Sequence, residues 1–206
     1  MEDDKRTKII NAALEEFAEN GFQRGSTNQI AKKAGIAKGM LFYYFNTKQE
    51  LYNFLVGYCL DYVRENYLNK LDFSETDFIK RMNHTSLTKM QAYLQYPQIF
   101  NFLASIVLNQ DEQYLPDDLL QELNTMYQVG TENLYKNIDT TLFRSDLPTE
   151  YVSKLLLWSI EGYQKELIAK LKGKNLGQLD FTPYWDEYAE FLELLRKIFY
   201  QNGGMK

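Results

Sequence analysis

The side chains that could carry out catalysis are few, and they stand apart from one another in the sequence. His84 is the only histidine, and no cysteine or acidic cluster accompanies it at the spacing that metal ligands need. Cys59 is the only cysteine, so the chain has no internal disulfide and no resolving partner for a redox thiol. We find no phosphate-binding glycine loop and no nucleophile elbow. The sequence therefore predicts no enzyme, metal site or cofactor, with His84 at the surface and Cys59 buried and inert.

Positive charge is concentrated in the first quarter of the chain. Residues 5–48 carry eight basic and three acidic side chains, whereas the rest of the chain carries 15 basic and 25 acidic ones. The net charge of −5 argues by itself against nucleic acid as a partner. A basic end on an acidic body nevertheless steers that end towards phosphate. The alternative is a chance cluster of solvated lysines.

The segment MLFYYF, residues 40–45, places four aromatic residues in succession within this basic region. On a helix, Leu41 and Phe45 share one face and can pack inward. Phe42, Tyr43 and Tyr44 cannot all do so, and a tyrosine hydroxyl can reach a phosphate. The alternative is that Tyr43 or Tyr44 only covers the neighbouring helix as part of the core.

Helical periodicity and capping signals indicate the elements that position this segment. Ser26 followed by Gln29 is a capping-box pattern, Gly35 ends the short helix, and Asn46 or Thr47 can cap the helix after the aromatic segment. The two short helices flank the tight turn AGIAKG, which predicts a helix–turn–helix. The chain as a whole predicts an all-α fold of about nine helices, over residues 5–20, 26–35, 38–45, 48–69, 74–94, 97–108, 116–137, a segment ending near 172, and 184–201.

The first quarter resembles the TetR family of bacterial transcriptional regulators in the order and spacing of many residues. These are Ile10, Ala12, Ala13, Phe17, Gly21, Phe22, Thr27, Ile30, Ala31, Ala34, Gly35, Ile36, Lys38, Gly39, Leu41, Tyr44, Phe45, Lys48, Glu50 and Leu51. The resemblance implies a three-helix DNA-binding domain at residues 1–48 and a helical ligand-binding and dimerisation domain at 49–206. It also implies a repressor that a small molecule releases from double-stranded operator DNA.

The resemblance also implies which residues meet DNA. Thr27 and Asn28 would open the second helix beside a phosphate and a base edge. Lys38, Gly39 and Met40 would begin the recognition helix in the major groove. The remaining predicted contacts are Tyr43, Tyr44 and Lys48, with Lys48 on a phosphate.

Three residues depart from the usual family pattern and bear on how bases are read. Ala37 stands where a capping serine is common, Met40 replaces a frequent threonine or small residue, and Phe42 replaces a frequent tyrosine. The alternative function is therefore an interaction module of the same fold without sequence-specific DNA binding.

Aromatic residues are numerous in the remaining helices. We predict a hydrophobic or aromatic effector whose pocket is lined by Phe100, Tyr127, Trp158 and Tyr163, since these combine large rings with polar tips. The last helix has apolar residues on two faces, one more than the chain's own core needs, which favours a homodimer through the last two long helices. The N-terminus resembles no signal peptide and the apolar stretches are too short for a bilayer, so we expect a cytoplasmic protein with no membrane partner.

Overall fold

The computed structural model describes residues 2–172, 174–175 and 179–201, with the side chains of residues 2–3 and 129–131 outside that description. The described chain forms nine α-helices and no strand, which confirms the all-α prediction. None of these helices is both long and apolar enough to cross a membrane. The helices are α1 (Glu2–Arg24), α2 (Thr27–Lys33), α3 (Lys38–Tyr44), α4 (Lys48–Asn66), α5 (Phe78–Gln95), α6 (Pro97–Asn109), α7 (Asp117–Tyr135), α8 (Thr149–Leu171) and α9 (Thr182–Phe199).

Several helix ends differ from the sequence prediction. The helix predicted over residues 74–94 starts later, at Phe78, because the Asp77 side chain accepts the hydrogen bond from the Lys80 amide and caps it. Thr47 rather than Asn46 caps α4. Helix α1 continues past its predicted end to Arg24, although Gly21 interrupts its geometry with φ 67° and ψ 179°. Part of the glycine-containing loop before α9 lies outside the described residues.

Two hydrophobic clusters hold the helices together, and they do not divide at residue 48. The first joins α1, α2 and α3 to α4, α6 and α7, with Phe17, Tyr52 and Phe102 in mutual ring contact at its centre. The second joins α5, α8 and α9. The three N-terminal helices thus share a core with half of the body, and a domain boundary at 48/49 stays a prediction.

A buried ion pair fastens the start of α5 to the end of α9. The Arg196 guanidinium donates to both Asp77 carboxylate oxygens, at 2.9 and 3.3 Å, and the Tyr200 hydroxyl donates to Oδ1 at 2.9 Å. Burial raises the pKa of Asp77, but Arg196, the Lys80 amide and Tyr200 outweigh it, so the pKa lies below its ordinary value. The carboxylate is therefore charged, and both of its oxygens accept hydrogen bonds inside the second cluster.

Arg81 fastens the same helix to the C-terminal end of α7. Its guanidinium is fully buried and donates to the carbonyls of Asn133, Leu134 and Lys136 at 3.2, 3.2 and 2.6 Å. Carbonyls at the end of a helix lack partners within it and carry partial negative charge. The Arg81 guanidinium satisfies these carbonyls as a hydrogen-bond donor, and its positive charge suits their partial negative charge.

We predict that Asp77→Ala lowers the free energy of unfolding by about 3–5 kcal/mol, because it leaves Arg196 buried without its anion. Urea denaturation measures the change. The matched control is Lys154→Ala, which removes an exposed pair with Glu150 and should cost less than about 1 kcal/mol. Because the folded-state pKa of Asp77 is lowered, the difference between parent and Asp77→Ala should be largest well above the ordinary pKa of 3.8 and should narrow as the pH falls below it. Equal losses in the two variants would contradict this prediction.

Candidate nucleic-acid interface

Helix α2 begins with polar side chains that face away from the core. The Ser26 hydroxyl accepts a hydrogen bond from the Gln29 amide, which confirms it as the N-cap. Ile30 and Ala31 form the buried face of the helix. Thr27 is half-buried at the first position and Asn28 is exposed. Asn28 is therefore accessible to a partner, and Thr27 lies at the edge of the same surface.

A tight turn brings α3 against α2. Ala34 is buried where the helices approach, and Gly35 follows it with φ 67°, a left-handed conformation that glycine adopts without strain. Ala37 precedes α3 without any side-chain cap, as its residue type predicts. The helix–turn–helix is thus formed by α2 and α3, with the capping of α3 left to its backbone.

Helix α3 has one face in the core and one in solvent. Leu41 and Phe45 are buried, which confirms their predicted inward orientation. Tyr43 is 78% exposed, whereas Tyr44 is half-buried and packs on the first hydrophobic cluster. Gly39 lies on the exposed side, where a Cβ would meet nothing within 4 Å. The structure thus separates the two tyrosines, with Tyr43 outward and Tyr44 largely a packing residue.

Phe42 has a structural role that its departure from the family pattern did not reveal. Its ring lies 5.8 Å from the Lys38 ammonium, one turn earlier on α3. A ring at this position stabilises a cation at an exposed site by about 0.5–1 kcal/mol. Phe42 therefore restrains Lys38 on the outer surface of α3, next to Gly39 and half-buried Met40.

The Lys48 ammonium contacts other groups of the protein instead of extending into solvent. Its ammonium donates to the Gln23 carbonyl at 3.0 Å and lies 4.8 Å from the Phe22 ring. Burial lowers the pKa of Lys48, with the carboxylates of Asp111 and Glu16 opposing that effect. Lys48 thus joins the start of α4 to the end of α1, and its predicted phosphate contact stays a prediction.

The end of α1 is also tied to the body of the protein. The Phe22 amide donates to Asp111 Oδ2 at 2.8 Å, in the 3₁₀ turn Asp111–Tyr114 that follows α6. Gln23 donates to the Tyr114 hydroxyl in the same turn. The positive φ of Gly21 aims the Phe22 amide at Asp111, and a Cβ on Gly21 would lie 3.0 Å from that oxygen. No short-range sequence signal indicates this contact, which joins residues 89 positions apart.

Two neighbouring lysines of α2 differ in their surroundings. Lys33 pairs with Glu15, Glu16 and Glu19 of α1 at 3.4–3.6 Å, so it links two helices. Lys32 is exposed. Of the two, Lys32 is the one left accessible to a phosphate.

The four predicted pocket residues differ in their surroundings. Phe100 packs on the first hydrophobic cluster, while Tyr163 stacks on Phe191 in the second, with ring centroids 4.9 Å apart. Trp158 is 56% exposed and Tyr127 is 53% exposed. Phe100 and Tyr163 thus pack on different clusters, and a pocket lined by the four residues stays a prediction.

The two remaining reactive side chains have the surroundings that the sequence predicts. His84 is exposed on α5. Cys59 is fully buried on α4, and burial raises the pKa of its thiol well above the ordinary value. A buried thiol that resists ionisation is a poor nucleophile.

We predict that substitutions at two residues of α3 change the free energy of unfolding by very different amounts. Leu41→Ala should lower the free energy of unfolding by about 2–5 kcal/mol, because it leaves a cavity in the core. Tyr43→Ala should change it by less than about 0.5 kcal/mol, because the side chain is exposed. Urea denaturation of both variants tests this, and a large loss in Tyr43→Ala would mean that its ring is packed in solution.

Comparison with known proteins gives this surface its context. A sequence profile described as bacterial regulatory proteins of the tetR family matches residues 9–54. The fatty acid metabolism regulator protein of Bacillus subtilis is 43% identical over 47 residues, which are 23% of this chain and 24% of that protein. That alignment spans less than two thirds of the relative, so it concerns the N-terminal helices alone.

Longer matches extend over the body. The biofilm operon negative transcriptional regulator IcaR of Staphylococcus epidermidis is 25% identical over 169 residues, covering 74% of this chain and 79% of that protein. The crystal structure of a TetR family transcriptional regulator from Chloroflexus aurantiacus has a TM-score of 0.63 at 20% identity, covering 98% of this chain and 96% of that one. The structural match shows the fold, and the profile covers the helix–turn–helix. Residues 9–54 thus match the TetR family of bacterial regulatory proteins, and the described chain has the fold of a solved TetR family regulator.

Proposed function

We propose that the protein is a transcriptional repressor that binds double-stranded operator DNA through α2 and α3 and is released by a small molecule. One observation carries the DNA-binding part of the proposal. Helix α3 buries Leu41 and Phe45 and leaves Lys38, Gly39 and Tyr43 on an exposed face, within the basic part of the chain. IcaR is named a negative transcriptional regulator, which supports repression. Such relatives do not favour an interaction module without DNA binding.

The proposed contacts divide between the two helices. Asn28 would reach a base edge from α2, with Thr27 on a neighbouring phosphate. Lys38 would bind guanine or phosphate, and Gly39 would allow the backbone to approach closely. Met40 and Tyr43 would touch base or sugar edges.

Two further residues require a local change or give a lesser contact. Lys48 would have to leave the Gln23 carbonyl to reach a phosphate. Tyr44 would contribute its hydroxyl only, since its ring packs on the core.

We also propose a homodimer through α8 and α9. On α8, Tyr151, Leu155 and Trp158 are exposed at the spacing i, i+4, i+7. On α9, Leu194 and Ile198 are exposed one turn apart. Apolar stripes of this kind on two helices favour a helical interface with a second copy. The exposure of Trp158 therefore favours a place in the dimer interface over one in the predicted pocket.

Helix α4 offers the physical route between effector and DNA. It starts at Lys48, against the end of α1, and reaches Tyr62 and Arg64, which bond to α5 and α7. A ligand that changes the contacts between those helices would move α4 and hence the junction with the head. We keep Tyr127, on α7, as the pocket residue that this arrangement supports best.

Footprinting on the DNA that flanks the protein's own gene tests the proposal. We expect protection of a near-palindromic site, because two recognition helices of a twofold dimer enter successive major grooves about 34–36 Å apart. A protein with an intact fold that protects no site in that DNA, even at low salt, would contradict the assignment.

We predict that Lys38→Ala weakens binding of operator DNA and makes the salt dependence shallower by about one unit of slope, because one cation is removed from the DNA-facing surface. Binding isotherms at several salt concentrations measure both effects. The control is Lys80→Ala on the exposed side of α5, which should bind like the parent. If Lys38→Ala also matched the parent, Lys38 would not be part of the DNA-binding surface.

We predict that Leu194→Lys converts the dimer to a monomer at micromolar concentration, because it places a charge in an apolar interface. Sedimentation velocity distinguishes the two states. The matched control is Leu87→Lys, another exposed leucine, on the outer face of α5, which should remain dimeric. A parent protein that sediments as a monomer would contradict the proposed dimer itself.

A further inference from the structure

A carboxylate lies inside the N-terminal helices, on the inner face of α1. Glu16 is only 4% exposed, and its neighbours Ala13 and Phe17 are fully buried in the first hydrophobic cluster. A buried glutamate is rare unless other groups of the protein pair with it, because burial penalises its charge. The DNA contacts proposed above do not involve Glu16, so its partners indicate what it does.

The two oxygens of Glu16 contact opposite ends of α2. Oε1 accepts hydrogen bonds from the Ser26 backbone amide and from the Asn20 side chain, each at 3.1 Å. Oε2 lies 3.6 Å from the Lys33 ammonium. Ser26 directly precedes α2, and Lys33 is its last residue. One side chain of α1 therefore holds both ends of this seven-residue helix.

The connection from α1 to α2 runs in close contact with α1. A single residue, Gly25, separates the end of α1 from Ser26. The Gly25 amide donates to the Gly21 carbonyl at 3.0 Å, and a Cβ on Gly25 would lie 2.5 Å from the Phe17 ring. The connection is thus fixed against α1 at Gly25, and the bond to Glu16 fixes the next amide along the chain.

Ser26 determines where the first turn of α2 lies. Its hydroxyl accepts a hydrogen bond from the Gln29 amide, and its carbonyl accepts one from the Ile30 amide. Asn28, the exposed residue proposed to reach a base edge, is two positions after Ser26. A side chain that recognises a ligand must be held within about 0.5 Å of the productive geometry by the groups around it. A bond that ties Ser26 to α1 therefore bears directly on where Asn28 is presented.

We propose that Glu16 is a positioning residue for base recognition. It holds the Ser26 amide, and with it the first turn of α2, so that Asn28 meets one base edge in the major groove. Glu16 is buried and touches no DNA itself. This inference rests on the proposed operator binding and adds to it the residue that sets the position of α2.

The hydrogen bond to Ser26, rather than the negative charge, distinguishes Glu16 from its neighbours. Glu15 and Glu19 also pair with Lys33, at 3.6 and 3.4 Å. Within the described part of the chain, Glu16 is the one of these three carboxylates that accepts a hydrogen bond from the Ser26 amide. Removing Glu15 takes away one charge and one partner of Lys33 without releasing Ser26, so Glu15 provides the matched control.

Three variants and the duplex that footprinting identifies test the proposal. Glu16→Met keeps a long side chain and removes the acceptor, Glu16→Gln keeps an acceptor oxygen for the Ser26 amide, and Glu15→Met is the control. The measured quantity is the affinity for that duplex divided by the affinity for a duplex of unrelated sequence. We expect Glu16→Met to lower this ratio about tenfold, the effect of one poorly read base pair. Glu16→Gln and Glu15→Met should keep the ratio of the parent.

A double-mutant cycle with Asn28→Ala separates positioning from general damage to the fold. Single base-pair changes in the duplex identify the base pair at which Asn28→Ala loses discrimination. Glu16→Met should lose discrimination at the same base pair, and the double variant should lose no more than either single one. A parent-like ratio in Glu16→Met, an equal loss in Glu15→Met, or losses that add in the double variant would each overturn the proposal.

Glu16→Asp decides the outcome if circular dichroism shows that Glu16→Met does not fold. It keeps the charge and withdraws the carboxylate from Ser26 by one methylene, so it should also lower the ratio. A folded Glu16→Asp protein with the ratio of the parent would contradict the positioning role. Failure of the parent itself to bind the flanking DNA would instead disprove the proposed operator binding.

Discussion

The hydrogen bond from the Phe22 amide to Asp111 is the contact on which the relation between head and body depends. It forms because Gly21 takes a positive φ within α1, which turns the last helical turn so that its first amide meets the carboxylate. Burial raises the pKa of Asp111 above its ordinary value, and the Phe22 amide, Tyr52, Lys48 and Arg24, which favour the charged form, offset only part of that effect. Asp111 thus joins the end of α1 to the body at the edge of the first hydrophobic cluster, with the cations Lys48 and Arg24 favouring its charged form.

The two hydrophobic clusters determine which helices can move without disturbing the junction between head and body. Because α4, α6 and α7 share a core with the head, a movement of these helices cannot occur without repacking around Phe17 and Tyr52. Helices α5, α8 and α9 form the other cluster and carry the exposed apolar stripes proposed for the dimer.

Local signals in the sequence were sufficient to predict the helix–turn–helix, but they did not predict the contact that attaches it to the body. The Ser26 cap, the Gly35 turn and the inward pair Leu41 and Phe45 follow from spacing within a few residues, and each is found in the structure. Asp111 could not be predicted, because its partner is 89 residues away and an acidic residue after a helix has many other uses. The pocket stays a prediction for a related reason. Aromatic type does not reveal which way a ring points once neighbouring helices compete for it, so Trp158 ended on the outer face of α8.

The partners of the basic residues distinguish structural cations from the one proposed to bind DNA. Arg196 is paired with Asp77, Lys33 with three glutamates, and Arg81 donates to helix-end carbonyls, so each fastens one helix to another. Lys38 instead lies on the exposed face of α3, with the Phe42 ring beside it. An exposed lysine is solvated at little cost and can bind an anion that arrives from outside. On the outer face of α3 that anion would be a phosphate of DNA.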